Sequence, residues 1–438
     1  MRKKGRTVVL WVLGAVLAAP VGAQTVLSAD DAVKTALEHN LSLQRTSWDL
    51  DAKRRQLDNA WGVFVPSTSL STGVSRSNTA TDLLGNAVTP SWASSMSASV
   101  SLSVNPSVFA DLKTVALNYR SGQLTYTLAK RTLEKNVRQV YYNLLLEQEN
   151  LKLAQANIAL KQKSLDDTTT KYKNGLAPQL DVFSAQVALA QLKPQYDSFE
   201  TTFLNDLGQL KVYLGLPLSQ DIALQGSLDQ AVESSIDLTP AQGSTESPDV
   251  QTARLQLEAD RLSLQSTQEG AWFPTLTMSY STVPTLSNPY GAGYAWADSQ
   301  GALSLQLSYS LDSLLPWTTS REKLNQAEDA IRSANSVLDE TKINSELTRT
   351  NAVRKIRQAV RSLETQTLNV ELAQKTYDQS VDAYQKGTKD LLTLQGSEAD
   401  LNQAKYDLLS QRYTLISTLL DLEYELDVPF GTLLGGKK

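Results

Sequence analysis

Between Leu124 and Tyr172 the chain runs 49 residues without a glycine or a proline, and Gly175 ends the run. Inside it an apolar side chain recurs at every seventh position: Val137, Leu144, Leu151, Ile158, Leu165 and Tyr172. A seven-residue repeat in a breaker-free run specifies a long helix packed along a neighbouring helix. The pattern returns 212 residues further on as Ile356, Leu363, Val370, Tyr377 and Tyr384. Each copy breaks after the same tyrosine, in Tyr172-Lys173-Asn174-Gly175 and Tyr384-Gln385-Lys386-Gly387. A return helix follows each break, with apolar spacings of three and four: Leu192, Tyr196, Phe199, Phe203, Leu207 in the first, and Ala404, Leu408, Leu415, Leu419, Leu422 in the second. The chain therefore holds two long helical hairpins with glycine tips. At about 1.5 Å per residue, Val108 to Lys173 would span roughly 100 Å. A single globular core needs no rod of that length. Pro194 interrupts only the first return helix, where a kink is expected.

A second duplicated marker precedes each hairpin. Gly62-Val63-Phe64-Val65-Pro66-Ser67 and Gly270-Ala271-Trp272-Phe273-Pro274-Thr275 lie 208 residues apart. After each proline the apolar period changes from helical to two. Met96, Ala98, Val100, Leu102 and Val104 alternate with Ser95, Ser97, Ser99, Ser101 and Ser103. In the second half Leu303, Leu305, Leu307, Tyr309 and Leu311 alternate with Ser304, Gln306, Ser308 and Ser310. Weaker strands are expected at 65–77 and 274–283, so each half carries one β-hairpin. An alternating strand also fits a soluble sheet. Three features favour lipid: the polar face is serine-rich and nearly uncharged, the strands have about the 10 residues that a tilted membrane strand needs, and aromatics cluster at their ends (Trp61, Phe64, Trp92, Trp272, Phe273, Trp296, Trp317). On this reading Val100, Leu102, Leu305 and Leu307 face lipid.

The beginning of the chain sets the compartment. Arg2, Lys3, Lys4 and Arg6 precede the apolar run 8–18, and Val21-Gly22-Ala23 fits a small-residue cleavage site, so 1–23 read as a secretory signal peptide. Its removal takes the net charge from −5 to −9, which argues against nucleic acid as a partner. Cysteine is absent and His39 is the one histidine, so no thiol chemistry and no cysteine metal site is available. Beyond the signal peptide, the expected divisions are a first structural repeat at 24–217 and a connector with little regular structure at 218–245. A second repeat at 246–429 and a loose tail at 430–438 follow. Ser28 and Asp31 make a capping-box start for the first helix of the mature chain.

In lipid every backbone amide must be paired, so a spanning sheet must close. Four strands per chain then require several copies. Two copies give eight strands, filled by side chains, whereas three give twelve, enough for a polar lumen. Taken together, Leu27-Ser28-Ala29-Asp30-Asp31-Ala32, the duplicated proline-ended strand lead-ins, Tyr-x-x-Gly at both tips and Leu216-Pro217 make the sequence resemble the TolC family of outer-membrane efflux proteins over nearly the whole mature chain. The resemblance implies a mixed α and β fold: a twelve-stranded outer-membrane β-barrel built by a homotrimer, continuous with a long periplasmic α-helical barrel. It implies the outer membrane of a diderm bacterium as location. It also implies a periplasmic adaptor and an inner-membrane pump as partners, and export of small molecules or proteins through a tripartite efflux or type I secretion system. The competing reading is a soluble secreted coiled-coil scaffold without transport activity.

The expected functional residues lie at the two tips. By the resemblance, Asn174, Gly175, Leu176, Lys386, Gly387 and Thr388 dock the adaptor, set against a plain helix-capping role for the glycines. Asp181, Tyr384 and Lys389 occupy positions that hold the family's periplasmic entrance shut, with lysine where better-known members carry arginine. Thr393 and Gly396 stand where some members carry acidic rings. Asp390, Glu398 and Asp400 are the nearest acidic alternatives, set against an exposed early helical turn. Asp30-Asp31 and Asp166-Asp167 are adjacent pairs, which do not face each other on a helix. No catalytic residues, cofactor or metal are expected.

Overall fold

The computed structural model describes residues 25–76, 80–81, 87–88, 92–229, 238, 246–283, 285–287, 295–297, 301–312 and 315–433. The signal peptide expected at 1–23 lies outside them. After strand β1 (Thr25–Leu27) come helices α1 (Ala29–His39) and α2 (Leu41–Asp58). The Ser28 side chain accepts from the Asp31 amide and the Asp31 carboxylate accepts from Ser28, so the capping box forms as expected. Asn40 ends α1 and caps α2, its side chain accepting from the Ser42 and Leu43 amides at 2.9 Å.

The rods are α3 (Ser107–Lys173) and, in the second repeat, Thr319–Gln385; each is 67 residues long, roughly 100 Å at helical rise. The return helix α4 (Gln179–Leu214) runs through Pro194 without ending there. Among the described residues the remaining long helices, in chain order, are α5 (Pro248–Trp272), α6 (Thr319–Gln385) and α7 (Leu391–Glu425). Each rod is thus flanked by two shorter helices: α2 and α4 pack on α3, and α5 and α7 pack on α6. Two end-to-end short helices match one long one, which is why one hairpin arm needs no break and the other side does.

The helix ends repeat as closely as the rods. Gly215 closes α4 with φ of 67°, and the Leu216 amide donates to the Lys211 carbonyl at 2.9 Å. A Cβ at Gly215 would sit 2.3 Å from the His39 carbonyl oxygen, so glycine is required there twice over. The matching position after α7 is Asp427, which takes φ of 54° without being glycine. Its carboxylate pairs with Arg131 at 2.6 Å, an interaction glycine would lack.

Two apolar cores meet at mid-height of the rods. The first gathers Val137, Tyr141, Leu144 and Leu145 of α3 with Leu210, Leu214, Ile416 and Leu420. The second gathers Ile356 and Ala359 of α6 with Leu415, Leu419 and Leu422 of α7. Such side chains gain about 1.5–3 kcal/mol each on burial. Strand β6 (Ile222–Leu224) pairs in parallel with β1 beside the first core. The Tyr141 hydroxyl lies 2.8 Å from the Leu27 carbonyl, tying the rod to this small sheet. Within the connector, Ile222 is buried against that core and brings a strand of three residues with it. The loose tail is corrected through Leu433. Glu423, fully buried, accepts from the Gly431 amide at 3.0 Å and the Leu433 amide at 2.8 Å. Residues 434–438 lie outside the described residues.

Beyond the far end of α2 and α5 the chain turns into sheet. The principal strands are β2 (Ser67–Arg76), β5 (Trp92–Val104), β7 (Thr275–Thr282) and β10 (Ala302–Ser308); they pair in the order β2–β5–β7–β10, all antiparallel. Short strands β3 (Ala80–Thr81) and β4 (Ala87–Val88) pair with each other, while β8 (Thr285–Ser287) pairs with the start of β5 and β9 (Ala295–Ala297) pairs with β8. The strand β10 stops at Ser308 rather than at Leu311, because Ser308 already pairs with Thr275 and the next residue back is Pro274, which has no amide to give. The whole chain exposes 28324 Å², against about 16,000 Å² for a compact monomer of 47.9 kDa. This chain is a rod with a sheet at its end.

Candidate functional site

The sheet has two chemically opposite faces, and the register shows that the strands agree on them. Val100, Tyr280 and Leu303 form one cross-strand row, Leu102, Met278 and Leu305 the next, and Val104, Leu276 and Leu307 the third. All nine lie on one face. Leu303, Leu305 and Leu307 are 72%, 71% and 67% exposed, and Val100 is 39% exposed, while Leu102 is half-buried. The opposite face is a hydroxyl ladder. Ser69 meets Ser99 at 2.7 Å, Ser67 meets Ser101 at 2.9 Å, and Ser279 meets Ser304 at 2.7 Å. The expected lipid-facing residues are thus brought to one continuous apolar face, with hydroxyls behind it. Among the described residues, both outer strands, β2 and β10, have a free edge within the chain.

The two tips are copies of each other at the level of hydrogen bonds. The Gly175 amide donates to the Tyr172 carbonyl at 2.9 Å and the Leu176 amide to the Lys171 carbonyl at 2.8 Å. The Gly387 amide donates to Tyr384 at 3.0 Å and the Thr388 amide to Ala383 at 2.9 Å. This is the paired closure that a left-handed residue just past a helix end allows, and the φ values are 71° and 72°. An added Cβ at either glycine meets nothing within 4 Å, so the fold needs glycine here for its backbone angle and leaves open space around it. Asn174, Leu176, Lys386 and Thr388 are exposed beside these glycines. Leu176 is 77% exposed and continues into Leu180 at 71%, an apolar edge at the first tip.

The three entrance residues are placed close to the tips but not joined within one chain. Asp181 lies in the first turn of α4, its amide bonded to the Pro178 carbonyl at 3.1 Å. Lys389 is exposed just before α7, its amide 3.4 Å from the Ala383 carbonyl. Among the described residues no ion pair links Asp181 and Lys389 in the single chain. Tyr384 lies under the Lys171 ammonium, 4.6 Å from the ring centroid.

The acidic alternatives separate cleanly. Asp390 caps α7, accepting from the Thr393 amide at 2.9 Å, and these bonds to Thr393 hold its carboxyl below the usual range. Asp400 is exposed. Glu398 is neither a ring member in solvent nor part of an exposed turn: it is 7% exposed and forms a close ion pair with Lys161 of α3. The nearby Tyr377 hydroxyl is pushed up by burial and then by the Glu398 carboxylate. Sequence reasoning missed this pair because 237 residues separate its members. It also missed Glu147, which shares Asn143 with Asp206 (2.9 and 2.6 Å) and is raised to about 7 by burial and the Asp206 carboxylate. His39 is exposed at the end of α1.

The profile of the outer membrane efflux protein family matches residues 32–216. The chain is 23% identical over 253 residues to a toluene efflux pump outer membrane protein, TtgF, of Pseudomonas putida, covering 56% of this chain and 52% of that one. It is 24% identical over 407 residues to the outer membrane protein TolC of Escherichia coli, covering 88% and 79%. The match thus spans about half the length of the first relative and most of the second. Among solved structures, the Campylobacter jejuni CmeC outer membrane channel superposes with a TM-score of 0.76 at 14% identity, over 100% of this chain and 96% of that one. With duplicated rods, glycine tips and a two-faced sheet, the chain has the fold of these outer membrane channels, and its first repeat matches the outer membrane efflux protein profile.

Proposed function

We propose that three copies of this chain close into one outer-membrane duct, through which a periplasmic adaptor and an inner-membrane pump export small molecules or proteins in a tripartite efflux or type I secretion system. The observation that carries it is the sheet: four strands with an apolar outer face, a hydroxyl inner face and, among the described residues, two unpaired edges. In lipid those edges must be satisfied, and β2 of one copy meeting β10 of the next does so. Twelve strands leave a lumen, and a lining of small hydroxyl side chains keeps it open to water. A soluble scaffold accounts for the rods but leaves Leu303, Leu305 and Leu307 bare in water. The protein is a conduit and carries out no catalysis.

At the periplasmic end the tips Asn174-Gly175-Leu176 and Lys386-Gly387-Thr388 receive the adaptor, whose backbone can come close where there is no Cβ. Asp181 of one hairpin attracts Lys389 of an adjoining hairpin in the neighbouring copy, and Tyr384 packs at that seam. The test is membrane fractionation followed by electrophoresis with and without heating. An outer-membrane protein whose trimer band collapses to monomer on heating is expected, and its purified trimers conduct in planar bilayers. A soluble monomer would overturn the reading.

A further inference from the structure

We propose that Asn174 is a site of spontaneous deamidation whose rate is set by the hydrogen bonds of the first tip, so that this tip ages into an acidic form while the second tip does not. The modification stands on the tip itself, and only its effect on docking rests on the duct reading above.

Asn174-Gly175 is the one Asn-Gly step in the sequence. Every other asparagine is followed by a residue with a side chain or by proline, which crowds or removes the next backbone N–H as an attacking group. Glycine takes that obstacle away. In the reaction the Gly175 nitrogen gives up its proton and attacks Cγ of Asn174. The Cγ–Nδ2 bond breaks, ammonia leaves, and a succinimide ring closes. Water then opens the ring at either carbonyl. One opening gives aspartate; the other gives isoaspartate, in which the main chain runs through the former side chain. One water enters and one ammonia departs, with no oxidant, metal or enzyme. Asn174 and Gly175 are both exposed. A Cβ at Gly175 would meet no atom within 4 Å, so no other part of the chain screens the site.

The fold holds the reaction back without abolishing it. Asn174 ends α3 with φ of −91° and ψ of 6°, which turns the Gly175 nitrogen towards the Asn174 amide and away from its side chain. The Gly175 N–H is already donated to the Tyr172 carbonyl at 2.9 Å, and the Leu176 N–H to the Lys171 carbonyl at 2.8 Å. Ring closure needs both released. Two backbone bonds of this kind make the reactive form about 5- to 150-fold scarcer than in a free peptide. Leu176 is 77% exposed, so the turn opens without unpacking a core. The products do not rebuild the same cap. A carboxylate at the C-terminal end of α3 opposes the helix dipole, and the extra methylene of isoaspartate puts the two closing bonds out of register. The second tip repeats the geometry, with φ of 72° at Gly387 and closing bonds of 3.0 and 2.9 Å, but carries Lys386 at the reacting position. Conversion therefore alters one of the two docking tips of each copy and spares the other.

The test holds freshly purified full-length protein at mildly alkaline pH and maps its peptides by mass at intervals. Endoproteinase Asp-N, which cleaves before aspartate and not before isoaspartate, separates the two products. A synthetic peptide of residues 170–178 is the unstructured reference. Asn174 should convert before every other asparagine of the chain, and about 5- to 150-fold more slowly than in the peptide. Hydrogen exchange at the Gly175 and Leu176 amides should speed up in step with conversion. Asn174→Gln should stop the reaction at this tip, since the larger imide ring closes far more slowly. Lys386→Asn should convert at a rate close to that of Asn174, because the two caps share their angle and their bonds. An Asn174 that outlasts Asn335 or Asn344, the two asparagines followed by serine, would overturn the proposal. So would conversion at the peptide's rate, or a Lys386→Asn tip that stays intact while Asn174 converts. A chain that proves to be a soluble monomer would bring down the duct reading and the effect on docking, and would still convert at Asn174.

Discussion

Leu305→Arg measures the environment of the apolar sheet face with little interference from the fold. Leu305 is 71% exposed and stands on the outer strand β10, so the chain itself loses little packing when the side chain changes. Its row, Leu102–Met278–Leu305, lies between two further apolar rows, which places it within the apolar band. An arginine on the lipid face near the bilayer midplane costs about 2–4 kcal/mol in such barrels. Per chain that is a shift of roughly 30- to 700-fold in the folding equilibrium, and three copies together lose about 6–12 kcal/mol per trimer. The control is the next residue. Ser304→Arg puts the same side chain on the hydroxyl face and breaks one bond to Ser279, worth about 1 kcal/mol. The assay is the yield of heat-modifiable trimer in outer membranes, backed by urea unfolding in lipid vesicles. Leu305→Arg should lose most of its trimer and Ser304→Arg should retain it. Equal yields would mean that neither face contacts lipid, and the assignment of Val100, Leu102, Leu305 and Leu307 would fall together.

Other outcomes follow from the tips and the rods. Asp181→Asn combined with Tyr384→Phe should raise single-channel conductance most clearly at low salt, because an exposed pair contributes only about 0–1 kcal/mol and is screened; Lys389→Arg should lower open probability through its fixed fork, and a double variant indistinguishable from the parent at every salt would remove these residues from the gate. Gly175→Trp or Gly387→Trp should abolish efflux and leave trimers in the membrane, since a Cβ there meets no atom of the chain within 4 Å; full efflux with both tips blocked would rule out docking at them. Glu147 holds its proton up to about 7, against 4.5 for an unperturbed glutamate, so the unfolded chain releases the proton first and stability falls as pH rises through that window. The parent's melting midpoint relative to Glu147→Gln should therefore drop between those two pH values, and a difference that stays constant across them would refute the buried-proton assignment.

The parts legible in the sequence are those whose signal is local and repeated. A heptad stripe, a glycine past a helix end and an alternating serine strand each declare themselves within about ten residues, and the second copy doubled every signal. The rods, tips and sheet faces were readable for that reason. The join between β5 and β7 was not, because Leu102 and Met278 are 176 positions apart and nothing in either strand names the other. The same holds for Lys161 with Glu398 and for Glu147 with Asp206: a lone charged residue in a helix reads as a solvated face until the partner helix is placed. Glu423 is the strongest case. It sits in an apolar heptad as an apparent mismatch, and its carboxylate turns out to hold the amides of Gly431 and Leu433. The strand β6 was too short, at three residues, for any period to show.

One gradient along the rods connects stability to transport. The heptad stripe of α3 begins with Val137 and Leu144 fully buried and ends with Tyr172 at 42% exposure. In α6 it begins with Ile356 fully buried, while Leu368 and Leu372 on the same rod stand 53% and 51% exposed. The two stripes are therefore most completely buried at mid-height, while apolar residues off the stripes, such as Leu204 and Ile343 there and Leu176 and Leu180 at the first tip, stay uncovered in the single chain. Covering half of a leucine returns on the order of 1 kcal/mol, so neighbouring copies gain most where each chain alone is least complete. That distribution fixes which part of the assembly can move. At mid-height the large apolar side chains of one chain interlock, and parting them costs cavities on both sides. Near the tips the buried set mixes Leu189, Leu391 and Leu401 with Thr168, Ser380 and Glu398, so separation there also exposes groups that water can satisfy. On the duct reading, the sheet and the mid-height belt stay anchored while the far end moves, and the buried polar groups Thr168, Ser380 and Glu398 lie at the end that would move.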